Sequence, residues 1–278
     1  MDYKTIVVQA EADADGGSRV ELALGLALCF DATLIGLAAR DLIPLLTVPG
    51  SSPGIGPLLA AEEQEIRADL DAAERRFRTL ADATRTRVGW RARTGDPAAM
   101  LAREALTADL VVVGRRPERG GAGWSRHADP GDVLMRAGRP LLVMPPGLSS
   151  LNADHVVVAW KDSLEARRAV ADAMPFLTRA VSVFVLQVCD DEDERERATE
   201  IVRDVAAYLT GHGVAATGEA RLLREASVSA ELLLAAEQRR AELVVAGGYA
   251  HSRLREWVFG GLTSTLLGHF PKCCLLSR

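Results

Sequence analysis

The sequence predicts an α/β protein built twice over, with two doubly wound domains, each a five-stranded parallel sheet flanked by helices. Three observations carry this. Ala108-Asp109-Leu110-Val111-Val112-Val113-Gly114 matches Ala241-Glu242-Leu243-Val244-Val245-Ala246-Gly247 position by position, as small residue, acid, apolar run and glycine. The match extends outward, pairing Thr5-Ile6-Val7-Val8 with His155-Val156-Val157-Val158, and Pro140-Leu141-Leu142-Val143-Met144 with Pro271-Lys272-Cys273-Cys274-Leu275-Leu276. An internal repeat of this kind decides architecture before any single motif does. Finally, the 278 residues divide into two units of about 140, a size at which a domain buries most of its apolar surface.

In the first unit, short β-branched runs predict strands near residues 4–10, 33–39, 87–94, 109–114 and 140–144, and Ala/Leu/Arg/Glu-rich stretches predict helices near 18–30, 58–83, 96–107 and 130–138. The second unit repeats the pattern, with strands near 155–160, 181–188, 214–223, 242–247 and 273–276 and helices near 162–176, 192–211, 227–240 and 260–269. Strands alternating with helices argue for βαβ crossovers and a buried parallel sheet. At Asp96-Pro97 the aspartate caps a helix and the proline takes its first turn, where no N–H is needed. Asp162 with Glu165 suggests a capping box, and Asp191–Arg195 and Asp193–Arg197 stand at i,i+4 in a helix entered by acids. Pro145-Pro146-Gly147-Leu148-Ser149-Ser150 breaks the periodicity, so the domains are expected at 1–147 and 152–278. Pro44 to Pro57 predicts a long loop in the first unit.

Hydrophobic residues make up 48% and charged residues 26% of the chain, which is a globular balance. A net charge of -5 gives no footprint for nucleic acid, which wants clustered Lys and Arg. No apolar run reaches the roughly 20 residues that span a bilayer, and Met1-Asp2-Tyr3-Lys4 opens without a basic and apolar leader, so the cytoplasm is the expected location. Cys29, Cys189, Cys273 and Cys274 have neither CxxC nor zinc-ligand spacing and are expected to be reduced, with Cys273 and Cys274 on opposite faces of a strand.

Ligands of such sheets bind at the carboxyl ends of strands, where strand order reverses. In the second unit that rule selects Trp160-Lys161-Asp162-Ser163 and Gly247-Gly248-Tyr249-Ala250-His251. Glycines let backbone N–H groups approach an anion, and a helix starting near Gly260 offers its positive end to phosphate. In the first unit Arg115-Arg116-Pro117 follows Gly114, the equivalent spacing reaches His127 instead of a glycine, and Asp129-Pro130-Gly131-Asp132 opens the last helix with two carboxylates. Those acids repel phosphate. Arg115 and Arg116 leave an anion site open there, and Glu11 falls at the end of the first strand.

The Ala-acid-Leu-Val-Val-x-Gly strands, the Thr94-Gly95-Asp96-Pro97 turn and the span from Gly247 to Thr263 resemble the universal stress protein family, over almost the whole chain and in tandem form. The resemblance implies a Rossmann-like fold of the adenine nucleotide alpha hydrolase type. It also implies a loop of glycine, two residues, glycine, nine residues, glycine and a serine or threonine that holds ATP phosphates. Gly247 keeps the first glycine and Gly260 the third; Ala250 stands at the second and Gly261 at the serine, with Thr263 able to supply a hydroxyl. Lys161 stands where the family has an aspartate. The implied ligand is ATP or a related adenine nucleotide with Mg²⁺, on Trp160, Lys161, Val188, Gly247, Gly248, Ala250, His251, Gly260, Gly261 and Thr263, although Trp160 also reads as core.

No GxxxxGK[ST], HExxH or GxSxG pattern is present in the sequence, so no enzyme activity beyond a slow ATPase is expected. Two functions follow. One is a stress-response or regulatory protein that binds nucleotide in its C-terminal copy. The other is a member that binds none and works through protein contacts. An intramolecular pseudo-dimer is expected, and the last strands, 140–144 and 273–276, offer edges for pairing within the chain or in a homodimer.

Overall fold

A computed structural model describes residues 2–42, 55–115, 127–249 and 261–278. The first half runs β1 (Thr5–Gln9), α1 (Gly16–Cys29), β2 (Thr33–Arg40), α2 (Ile55–Asp82), β3 (Arg87–Thr94), α3 (Pro97–Glu104), β4 (Leu110–Gly114), α4 (Pro130–Ala137) and β5 (Leu141–Met144). The second runs β6 (His155–Ala159), α5 (Leu164–Leu177), β7 (Ser182–Cys189), α6 (Glu192–Gly211), β8 (Ala216–Leu222), α7 (Val228–Gln238), β9 (Leu243–Gly247), α8 (Gly261–Gly268) and β10 (Cys273–Ser277). The predicted strands and helices all form, with ends shifted by a few residues. Most of the loop expected from Pro44 to Pro57 lies outside the described residues.

The strands make one ten-stranded sheet in the order β3-β2-β1-β4-β5-β10-β9-β6-β7-β8. Within each half every pairing is parallel, and the halves join where β5 and β10 pair antiparallel, Val143 opposite Cys274 and Leu141 opposite Leu276. The last strands therefore satisfy their edges inside the chain, and the outer edges are β3 and β8. Arginines 87, 91 and 93 stand on the free edge strand β3, a charged edge that discourages strand addition. Because the two halves run in opposite directions, their strand carboxyl ends emerge at opposite rims of the sheet.

Helices α1, α2, α5 and α6 cover one face and α3, α4, α7 and α8 the other, each face forming one apolar layer across both halves. Cys273 faces one layer and Cys274 the other, as strand alternation requires. Tyr3, Phe30 and Phe176 stack edge to face at 5.0–5.7 Å across the boundary between halves, and the Tyr3 hydroxyl donates to the Asp172 carbonyl at 2.6 Å. Arg179 pairs with Asp2 at 2.9 Å in the same region.

Caps explain most of the helix starts. Asp96 accepts from the Ala98 N–H with Pro97 in the first turn, as expected. At α5 the cap is Ser163, whose Oγ accepts from the Ala166 N–H at 3.1 Å. Asp162 is instead paired with Arg167, so the Asp162–Glu165 capping box is corrected: the hydroxyl one residue later has the extended backbone that a cap needs. Asp191 caps α6 through the Glu194 N–H, which diverts it from Arg195; that guanidinium bonds Glu192. Among the described residues no helix is long and apolar enough to cross a membrane.

Candidate functional site

Strand order reverses at two places, between β1 and β4 and between β6 and β9. Each is a crevice at strand carboxyl ends, the usual ligand position in such sheets.

In the second crevice, Trp160 leaves the end of β6 and its indole is buried in the core, with an Nε1–H that has no hydrogen-bond partner among the described residues. Lys161 beside it is exposed. Val188, near the end of β7, packs on the layer formed by α7 and α8. At the end of β9 the glycines serve close approach. A Cβ on Gly247 would stand 2.6 Å from the Ala166 amide nitrogen, so the first turn of α5 is seated against this strand end. A Cβ on Gly248 would meet Leu134 of α4 at 2.7 Å, and the Gly248 N–H donates to the Ser277 carbonyl at 2.8 Å. Tyr249 takes a left-handed φ of 58°, and its N–H donates to the Thr263 hydroxyl at 3.3 Å. Thr263 is buried, so this hydroxyl already has a structural use. Gly261 opens α8 with no described residue within 4 Å of where its Cβ would stand, and the helix's first turn carries no acid. Ala250, His251 and Gly260 lie outside the described residues. Trp160, Lys161, Gly247, Gly248, Gly261 and Thr263 thus gather where β6 and β9 end, while Val188 stands one strand away.

The first crevice is furnished differently. The Gly114 N–H donates to Gln9 Oε1 at 3.0 Å, and a Cβ on Gly114 would meet the Arg19 guanidinium at 2.6 Å. Arg19 is only 2% exposed, donating to the Gln9 carbonyl at 2.5 Å and to Asp13 at 2.8 Å. It fills the space beside the glycine. At the start of α4 the Asp129 carboxylate accepts from the Gly131 and Asp132 N–H groups, at 2.7 and 3.4 Å, so the helix's positive end is already matched by a negative charge. Glu11 is buried and meets His127 Nδ1 at 2.7 Å. That hydrogen bond holds the imidazole pKa above its ordinary value, against the opposing effect of burial. A cleft of about 400 Å³ opens here, lined by Asp13, Arg19, Arg115, His127, Met144 and His269 among others. His269 follows α8, so the second half helps to wall the first half's cleft. Partial burial pulls the Arg115 guanidinium below its usual range. Arg116 and Pro117 lie outside the described residues.

A further groove of about 520 Å³ lies between β8 and the starts of α6 and α7. Its charges are largely answered within the chain: buried Glu231 accepts from the Arg224 and Glu225 N–H groups at 2.9 and 3.1 Å, and Arg221 pairs with Glu219 at 2.7 Å. Sequence reasoning did not reach this groove, because residues 219–222 of β8 meet side chains of α6 and α7 that no motif spacing joins to them.

The molecule is thus a tandem doubly wound α/β protein with a crevice at each rim of a shared sheet. Neither a protein-family model nor a curated protein sequence matches the chain. Its fold is that of the universal stress proteins. A universal stress protein from Archaeoglobus fulgidus superposes with a TM-score of 0.66 at 13% identity, covering 99% of this chain and 96% of that one. A putative universal stress protein from Pseudomonas aeruginosa UCBPP-PA14 superposes with a TM-score of 0.61 at 13% identity, covering 99% and 93%. A functionally unknown protein from Pseudomonas aeruginosa PAO1 gives 0.60 at 14% identity, covering 99% and 92%. The expected fold class, two such units in one chain, holds.

Proposed function

We propose that this chain is a regulatory protein of the universal stress type, at most a slow ATPase, that binds one adenine nucleotide through its second half. The supporting observation is the contrast between the helices that end the two halves. Helix α4 starts under two carboxylates, Asp129 and Asp132, whereas α8 starts at Gly261 without an acid in its first turn. Phosphate favours a helix N-terminus whose first turn carries no acid, where the helix dipole meets negative charge. Exposed Lys161 adds a cation beside the same crevice, and the first turn of α5 comes close to the end of β9. Magnesium would accompany the phosphates as in other nucleotide sites. The cytoplasm is the location we expect.

A second reading, contact-driven regulation without a nucleotide, draws on two observations. Leu134 fills the space beside Gly248, and Thr263 is used by the Tyr249 N–H. Calorimetric titration with ATP, ADP and AMP in magnesium buffer separates the readings. Nucleotide binding in the native chain that weakens at least tenfold in Gly261→Asp supports the first, because the substitution gives α8 the acid that α4 carries. An absence of heat in the native chain, with no nucleotide carried through purification, supports the second.

A further inference from the structure

We propose that the first crevice holds a divalent transition-metal ion, of the zinc or manganese class, on Glu11, Asp13 and His127. One ligand atom from each of these side chains lies within 4.8 Å of the others. An ion binding nitrogen and oxygen at about 2.0–2.2 Å keeps neighbouring ligand atoms roughly 3–4 Å apart, so modest side-chain movement closes the three around one centre. His127 Nδ1 and Glu11 Oε2 are already 2.7 Å apart. The proton between them stands where an ion would bridge the same two atoms. Two carboxylates and an imidazole are hard to intermediate donors, suited to Zn²⁺ or Mn²⁺ and poorly suited to soft Cu(I).

Burial and charge point the same way. Glu11 is 5% exposed, and a carboxylate so enclosed requires a paired charge or a metal. Asp13 is partly neutralised by Arg19 at 2.8 Å, so with a neutral imidazole the group carries one net negative charge and, with a divalent ion, one positive. The cleft of about 400 Å³ opens onto Asp13 and His127, leaving coordination positions for an outside ligand. Arg115 lines the same cleft, and its buried Nη2 has no hydrogen-bond partner among the described residues. An orphaned guanidinium N–H of this kind is costly unless an acceptor meets it. Ion and Arg115 together suit a small anion, carboxylate or phosphate, spanning the two.

The proposal concerns the first half and stands independently of nucleotide binding in the second. Equilibrium dialysis of the chelator-treated full chain against Zn²⁺, with metal counted by atomic spectrometry, tests it. One Zn²⁺ per chain is expected, with affinity at least tenfold lower in Glu11→Gln, His127→Asn and Asp13→Asn, each checked as folded by circular dichroism. Asp13 is the most exposed of the carboxylates, so its variant keeps the test available if Glu11→Gln unfolds. Co²⁺ should show visible ligand-field absorption that disappears in His127→Asn. No zinc retained above the buffer level, or equal retention by folded variants, would overturn the proposal and leave Glu11–His127 as an ion pair alone.

Discussion

Replacing Gly247 with alanine tests whether the end of β9 and the start of α5 are as tightly seated as the structure has them. The new methyl would stand 2.6 Å from the Ala166 amide nitrogen and 2.8 Å from the Glu165 carbonyl carbon. Unstrained contacts between heavy atoms run about 3.5–4.0 Å, so α5 must withdraw by roughly 1 Å or the strand end must bend. Overpacking costs about 1–3 kcal/mol, and an obstacle made of helix backbone cannot rotate away as a side chain would, which argues for the upper half of that range. At about 2–4 °C per kcal/mol for a chain near this size, the melting temperature should fall by roughly 4–12 °C. Gly261→Ala is the companion variant: among the described residues nothing lies within 4 Å of its added methyl, so its stability should stay within about 0.5 kcal/mol of the native chain. Thermal and urea unfolding followed by circular dichroism read both. If Gly247→Ala melts with the native chain, the close approach of α5 to β9 is wrong, and Gly247 is free for another purpose.

Removing the Asp129 cap by Asp129→Ala leaves the Gly131 and Asp132 N–H groups without that acceptor, and should cost about 1 kcal/mol in urea unfolding. Arg19→Met keeps much of the side-chain volume but strands the Gln9 carbonyl and Asp13; a loss of about 1–3 kcal/mol is expected, and none would mean that Arg19 only fills space. His127 is held above its ordinary value by Glu11, so the pair stabilises fully below about pH 6.5, and its contribution disappears as pH rises through the raised value. The stability gap between the native chain and His127→Asn should therefore be wider near pH 6 than near pH 9, and an equal gap would count against the pairing. Burial pushes the Cys273 thiol up to about 12 and raises Cys274 and Cys189 as well, whereas Cys29 is exposed. A disulfide reagent should accordingly label Cys29 first in the folded chain and the other three only on denaturation.

The repeat made the architecture legible, because matched runs such as 108–114 and 241–247 mark the same buried strand in each half. The junction was legible only in outline. Apolar last strands announce edges that need partners, but the sequence does not say whether β5 meets β10 in its own chain or another; that depends on how the halves close. Local hydrogen-bond competition defeated two finer readings, since Asp162 and Ser163 both suit a cap, and Asp191 serves its helix's N–H before it can serve Arg195. Glu11 and His127 were each visible singly, one at the end of the first strand and the other at the position where a glycine was sought. Their meeting was not visible, because 116 residues separate them and no spacing rule joins them. Asp13 belongs to the turn after β1 and the enclosing Arg19 to the first turn of α1, where Gly114 leaves room for the guanidinium.

The central claim is that one half binds an adenine nucleotide and the other does not. Native mass spectrometry of the full chain with ATP and magnesium counts bound nucleotides directly. The account predicts one per chain, with an affinity at least tenfold lower in Gly261→Asp. Two per chain, or one bound with undiminished affinity in Gly261→Asp, would contradict it.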